Sequence, residues 1–509
     1  MITSGINYRR LVGLTGGPLL FFISIFFFNL QPGQPAVTYT LAVALWMAIW
    51  WISEVVPLAV TSLLPVALFP LLGVMDGKDV SATYFNHVIF LFIGGFIVAL
   101  AMQKWDLHKR IALKILINIG TGPGRIMLGF MIATAFLSMW ISNTATTMMM
   151  VPILLSVIAK LEESSGSKAV SKYAIGLLLG VAYSASVGGI ATLVGTPPNL
   201  SFARIFQIYF PEAPMISFAQ WFFFALPVSV VFIAITWTYL YFRFRPGKNS
   251  WKRTDTSTFK MEYKKLGKIT YEQIVVLIDF VLLALLWMTR SDIDTGLFII
   301  PGWAEAFSVP SYINDGTVAI MMSIPLFFIP SGKNKKQYLM DWETAAKLPW
   351  NIVLLFGGGF ALATGFKESG LSIWFGEQLS WVVGAHPLLI IAMIAFLMTF
   401  LTELTSNTAT TEMLLPILAG LSVSVEINPL LFMLPATLAG SMAFMLPVAT
   451  PPNAIIFGSS KIRIADMART GFVLNIIGVI IVTLATYFLG RYVFDIQIDQ
   501  FPFWAKITH

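Results

Sequence analysis

One six-residue string occurs twice in this chain, as Ser142-Asn143-Thr144-Ala145-Thr146-Thr147 and as Ser406-Asn407-Thr408-Ala409-Thr410-Thr411. Each copy is polar and lies inside an apolar stretch; Met139-Trp140-Ile141 precedes the first and Met148-Met149-Met150 follows it. Hydroxyl and amide groups placed there need partners, because hydrocarbon offers none. Small polar residues also suit close packing between membrane helices, and one copy alone would be read that way. The surroundings argue for duplication instead. Shifting the chain by 264 (406 minus 142) lays Phe92-Ile93-Gly94-Gly95-Phe96 on Phe356-Gly357-Gly358-Gly359-Phe360, Val151-Pro152 on Leu415-Pro416, and Ser138 on Thr402. Thr196-Pro197-Pro198-Asn199 recurs as Thr450-Pro451-Pro452-Asn453, at an offset of 254. The chain therefore carries two long repeats whose spacers differ by about ten residues.

Of the 509 residues, 57% are hydrophobic and 11% are charged. Soluble chains carry about a quarter charged residues, so this composition describes an integral membrane protein in a lipid bilayer. Without cysteine there are no disulfides. His87, His108, His386 and His509 are scattered, and no phosphate-cradling glycine loop or Cys/His ligand cluster is present. The net charge of +7 sits in short loops between apolar runs, which argues against a nucleic-acid partner. No nucleophile and base stand at catalytic spacing near either hexapeptide, so the chain is not read as an enzyme. The first apolar run, 11–30, is long enough to span and has no small-residue cleavage site.

Spans are expected at 11–30, 36–53, 57–74, 85–104, 170–207, 217–243, 270–289, 314–330, 350–367, 427–457 and 470–493. Segments 124–160 and 385–425 are apolar but interrupted by the hexapeptides, and are read as re-entrant hairpins. The expected architecture is all-α: eleven transmembrane helices plus two hairpins. Its divisions are a first helix (1–35), one repeat (36–243), a basic linker (244–269) and a second repeat (270–509). Arg9 and Arg10 place the N-terminus in the cytoplasm. The basic linker and the loops holding Lys109, Lys160, Lys347 and Lys461 then fall inside. Asp76, Glu212, Asp292 and Glu305 fall outside, as does the C-terminus. The hairpins thus enter from opposite faces, and the repeats are inverted. Residues 105–119 alternate charged and apolar, as an interfacial helix does. The counterpart, from about 367 to 382, falls on the outer surface.

The breaks carry the chemistry. Two adjacent prolines remove two amide donors and clash with the preceding turn, so each TPPN must interrupt its helix. The freed carbonyls suit a cation, and the helix N-termini at the hairpin tips suit an oxyanion. Broken helices meeting near the midplane between inverted repeats are a secondary-transporter design.

The twin SNT strings, twin TPPN breaks and inverted halves resemble the divalent anion/sodium symporter family, the INDY-type di- and tricarboxylate transporters, over nearly the whole chain. The resemblance implies a dimer with a scaffold and an elevator-like transport domain. It implies a first sodium set of Ser138, Ser142, Asn143 and Gly195, and a second of Thr402, Thr405, Asn407 and Ala449. Substrate carboxylates would meet Asn143, Thr144, Ser406, Asn407 and Thr408, with Thr450 and Pro451 closing the pocket. Thr405 stands where the family often has a smaller residue.

Asp279, Glu403 and Glu412 lie near membrane depth and are functional candidates on that ground. Glu403 and Glu412 map onto Met139 and Met148, outside the duplicated core, which favours local structural pairing over proton coupling. Glu54 is expected to be interfacial. The function expected is import of C4-dicarboxylates (succinate, malate, fumarate) with Na⁺ as coupling ion, by a homodimer in the cell membrane. Two alternatives share the fold: a Na⁺-independent di- or tricarboxylate antiporter, and a symporter of sulfate or another divalent anion.

Overall fold

The computed structural model describes residues 8–247, 257–294, 299–332, 335–379, 384, 386–498 and 500–506. Part of the basic linker, residues 248–256, lies outside the described residues, as do residues 380–382 of the segment expected on the outer surface.

α1 (Tyr8–Phe27) and α2 (Pro35–Ser53) pack together. Pro35 opens α2 at a position whose amide has no helical partner anyway. Glu54 ends it in the left-handed conformation, at φ 48°. Pro57 and Pro65 stand at the starts of α3 (Leu58–Thr61) and α4 (Leu64–Leu71), which divide the next apolar run; Pro70 lies inside α4. α5 (Gly77–Ala82) precedes α6 (His87–Lys104), where the Asn86 side chain accepts from the amides of Val88 and Ile89. Then come α7 (Leu107–Ile119), the first hairpin α8 (Pro123–Ser138) and α9 (Asn143–Ser165), and the broken pair α10 (Ser167–Ile190) and α11 (Pro197–Tyr209). α12 (Phe218–Phe244) closes the first repeat.

The order then recurs. α13 (Ser257–Lys265) and α14 (Tyr271–Met288) lead to a two-stranded antiparallel ribbon, Ile293–Asp294 with Ile299–Ile300. α15 (Asp315–Ser323) runs into a 3₁₀ turn, Ile324–Phe327. α16 (Trp342–Ala345), α17 (Trp350–Ser369) and α18 (Leu371–Gln378) follow. The second hairpin is α19 (Pro387–Leu401) and α20 (Asn407–Ser424), and the second broken pair is α21 (Leu430–Ala439) and α22 (Pro451–Phe457). α23 (Ile464–Leu484) continues through one π turn into α24 (Arg491–Val493).

Seven of the eleven expected spans lie on single long helices among the described residues. The other four do not: 57–74 and 314–330 give only short helices, and 170–207 and 427–457 are each split in two at their TPPN. The glycine motifs explain how the repeats interlock. A Cβ on Gly94 would lie 2.5 Å from the Ala319 carbonyl carbon, and one on its counterpart Gly358 would lie 2.4 Å from Ser62 O. Glycine thus lets α6 of the first repeat meet α15 of the second at backbone contact, and lets α17 meet the end of α3 likewise.

α7 forms where the amphipathic pattern places it, but Arg110 is not on its polar face. It is buried, with Nε donating to Gln273 Oε1 at 2.8 Å and a terminal nitrogen donating to the Leu266, Gly267 and Lys268 carbonyls at 3.1, 3.0 and 3.3 Å. Residues far away in sequence supply these acceptors, so periodicity within α7 could not show them.

Candidate functional site

Both hairpin tips are built alike. Ser138 Oγ donates to Asn143 Oδ1 at 2.6 Å, and Thr402 Oγ1 donates to Asn407 Oδ1 at 2.5 Å. The donors are fully buried beneath the tips. One turn on, Thr147 Oγ1 donates to Asn143 O and Thr411 Oγ1 to Asn407 O, each at 2.8 Å. Each asparagine is therefore held by side chain and backbone, and its Nδ2 amide is the end left for a ligand. Ser142 caps α9 by accepting from the Ala145 amide at 3.2 Å.

The tips differ at Ser406, which makes no such cap bond to α20, and at one further pair. Thr405 Oγ1 donates to Leu401 O at 2.8 Å and lies 2.5 Å from Thr410 Oγ1. Ile141 stands at the matching position of the first repeat, and there Thr146 Oγ1 has no partner. The Thr405 hydroxyl is thus used within its own tip, so a part in cation binding would fall to its backbone oxygen.

The helix breaks are held by the last residue of each TPPN. Asn199 Nδ2 donates to the carbonyls of Gly189, Ile190 and Thr192 at 3.3, 3.2 and 2.7 Å. Asn453 Nδ2 donates to those of Ala443 and Leu446, both at 3.0 Å. These amides satisfy carbonyls at the unwound ends of α10 and α21, which lipid could not do. The first break also crowds the first tip. A Cβ on Gly189 would lie 2.5 Å from Asn143 Oδ1 and 3.0 Å from Gly195 O. A cluster of oxygens from Ser138, Asn143 and Gly195 results, with no cationic side chain in it. In the second repeat Thr402 Oγ1 also lies 3.1 Å from Gly440 O.

Tips and breaks converge on one cavity of about 740 Å³. Its lining includes every residue of the expected substrate set: Asn143, Thr144, Ser406, Asn407, Thr408, Thr450 and Pro451. Of the two cation sets, Ser142, Gly195, Thr405 and Ala449 line it too, whereas Ser138 and Thr402 lie behind the tips. Both tips thus end at the same cavity.

Sequence reasoning missed Phe92, Phe96, Asn351, Leu404 and Val448, which also line the cavity. Glu54, expected at the interface, lines it as well. It also missed the work of Asn199 and Asn453, although their repetition was a usable signal. The lining contains no Lys, Arg or His.

The intramembrane carboxylates part company. Glu403 Oε1 accepts from the amides of Phe444 and Met445 at 2.7 and 2.8 Å and from Asn475 Nδ2 at 2.8 Å, while Oε2 accepts from the Leu446 amide at 3.1 Å. Glu403 thereby caps the unwound stretch before the second TPPN, a structural role. Glu412 has one side-chain partner, Ser201 Oγ at 2.8 Å. Asp279 is buried, and its Oδ2 has no partner.

Comparison with known proteins agrees with this geometry. Residues 17–496 match the family described as "Sodium:sulfate symporter transmembrane region". The protein named sodium-dependent dicarboxylate transporter SdcS of Staphylococcus saprophyticus is 44% identical over 501 residues, which cover 97% of this chain and 94% of that one. The protein of the same name from Staphylococcus aureus strain MRSA252 is 46% identical over 497 residues, covering 96% and 93%. The solved YdaH transporter of Alcanivorax borkumensis shares the fold at 13% identity, with a TM-score of 0.52 over 83% of this chain and 88% of that one. With the family match spanning both hairpins and both breaks, the chain belongs to the sodium:sulfate symporter family of membrane transporters, the divalent anion/sodium symporters.

Proposed function

We propose that this protein carries C4-dicarboxylates such as succinate into the cell with Na⁺. One observation carries the reading: the N-termini of α9, α11 and α20 open onto a single cavity whose lining holds no cationic side chain. Helix N-termini offer free amides and partial positive charge to carboxylates. They do not neutralise a dianion, so co-bound cations must supply the balance. The oxygen cluster of Ser138, Ser142, Asn143 and Gly195 and its counterpart of Thr402, Thr405, Asn407 and Ala449 are where those cations fit. Asn143, Thr144, Ser406, Asn407 and Thr408 then meet the carboxylates. The names of the two staphylococcal relatives support dicarboxylate over sulfate.

The cavity extends to Ser53 and Glu54 at the end of α2 and to Asn351 at the start of α17. With the N-terminus in the cytoplasm and the C-terminus outside, that mouth faces inward. A homodimer in the cell membrane, with the hairpins and broken helices moving against the other helices, completes the proposal. Succinate uptake into liposomes tests it. Uptake should collapse when K⁺ or choline replaces Na⁺. Undiminished uptake without Na⁺ but dependent on internal dicarboxylate would instead make the protein an exchanger.

A further inference from the structure

Glu412 directly follows the second hexapeptide and is completely shielded from solvent, whereas its counterpart Met148 is 61% exposed. Its Oε1 lies 2.8 Å from Ser201 Oγ on α11, and its Oε2 has no partner. No Lys or Arg forms an ion pair with it among the described residues. A Cβ on Gly359 of α17 would lie 0.9 Å from Oε2, so the carboxyl fills the space that this glycine leaves. Ser201 Oγ also lies 3.3 Å from the Pro197 carbonyl, and Pro197 lines the cavity. The contact therefore joins the second turn of α11, from one repeat, to α20 just beyond Asn407 and Thr408, from the other.

The pseudo-symmetric joint lacks this bond. α22 packs on α9 as α11 packs on α20, but Ile455 stands for Ser201 and Met148 for Glu412. Among the described residues, the second hairpin alone is tied to the opposite repeat's broken helix by a buried polar contact.

We propose that the Glu412–Ser201 hydrogen bond is a positioning tie that sets the separation of the anion-facing ends of α11 and α20, and that it works through hydrogen bonding rather than through charge. The tie rests on the reading of the cavity as the dicarboxylate site. An isolated buried charge would be uncompensated here, while a hydrogen-bonded group of the same shape holds both helices. Glu412 is thus a positioning residue and touches no substrate.

The test compares Glu412→Gln, Glu412→Met (the mirror residue), Ser201→Ala and the Met/Ala double variant in liposomes at saturating Na⁺. Glu412→Met and Ser201→Ala should each raise the succinate KM roughly tenfold, the scale of leaving one buried hydrogen-bonding group without its partner, with kcat within about twofold. The double variant should be no worse than the singles, and Glu412→Gln should stay close to the parent. Parent-like KM in Glu412→Met, additive effects in the double variant, or a Gln variant as impaired as the Met variant would each overturn the tie. The last outcome would make charge or proton exchange the role. Should Glu412→Met not fold, Ser201→Ala and Glu412→Gln still decide. Parent protein that carries sulfate instead of succinate would sink the dicarboxylate reading alone, and the same KM comparison then runs with sulfate.

Discussion

Asn199 and Asn453 make the same bonds from opposite repeats, each amide nitrogen reaching the carbonyls ten and seven residues upstream. Both side chains are fully buried. The equivalence means that each unwound segment is held by its own asparagine, and that the carbonyls proposed to face the cations would owe their placement to it.

Asn453→Ala leaves the buried Ala443 carbonyl without its side-chain partner, while the Leu446 carbonyl keeps the Ala449 amide at 3.2 Å. A buried group left without its partner costs about 1–3 kcal/mol, so the variant should melt several degrees below the parent. Na⁺ affinity of the purified protein, measured by calorimetry, should fall with it. Asn199→Ala should behave alike. Unchanged Na⁺ affinity in both would show that the breaks do not position the cation ligands.

Thr408 lines the cavity, and its hydroxyl is not used in the tip, whereas Asn407 is bonded to Thr402 and Thr411. Thr408→Ala should weaken succinate binding by about 1.5–3 kcal/mol, roughly ten- to a hundredfold, and leave Na⁺ affinity without substrate intact. Asn407→Ala should damage both. Loss of Na⁺ binding with succinate binding spared in Thr408→Ala would contradict these roles.

Gly94→Ala and Gly358→Ala each push a methyl group into backbone of the other repeat, which cannot yield as a flexible side chain does. Overpacking of this kind costs about 1–3 kcal/mol. Gly122→Ala is the control, since a Cβ there meets nothing within 4 Å. Thermal melts should separate the first two variants from the third.

Val448 lines the cavity and is 84% exposed. The chain has no cysteine, so Val448→Cys gives a single reporter. A membrane-impermeant maleimide should label it in inside-out vesicles, and succinate with Na⁺ should slow the labelling. Faster labelling from the outer face would reverse the proposed orientation.

Burial pushes the His108 imidazole on α7 below its ordinary value, and its Nδ1 lies 3.0 Å from Met102 O. The unfolded chain then takes up this proton first as pH falls. The contribution to stability is full above the ordinary value, about 6.5, and is lost as pH drops below it. His108→Gln, which stays neutral, should show a shallower fall in melting temperature between pH 7 and pH 5 than the parent. Parallel curves would show that another group governs that range.

Hydropathy and duplication are properties of local sequence, and they were enough for the membrane class, the helix order, the hairpins and the breaks. A proline pair breaks a helix wherever it stands, and a polar tip in an apolar run needs a partner whatever that partner is. For the same reason the cavity-lining members of the candidate site were legible as residues of the two repeated motifs. Which atoms meet was not legible. The buried acceptors of Arg110, the amide cap on Glu403 and the lone Ser201 contact of Glu412 join positions far apart in the chain. Glu403 and Glu412 read alike in sequence, as acids beside one hexapeptide. Only packing sets one against three free backbone amides and the other against a glycine of α17, because the local chain carries no information about what the opposite repeat brings to it.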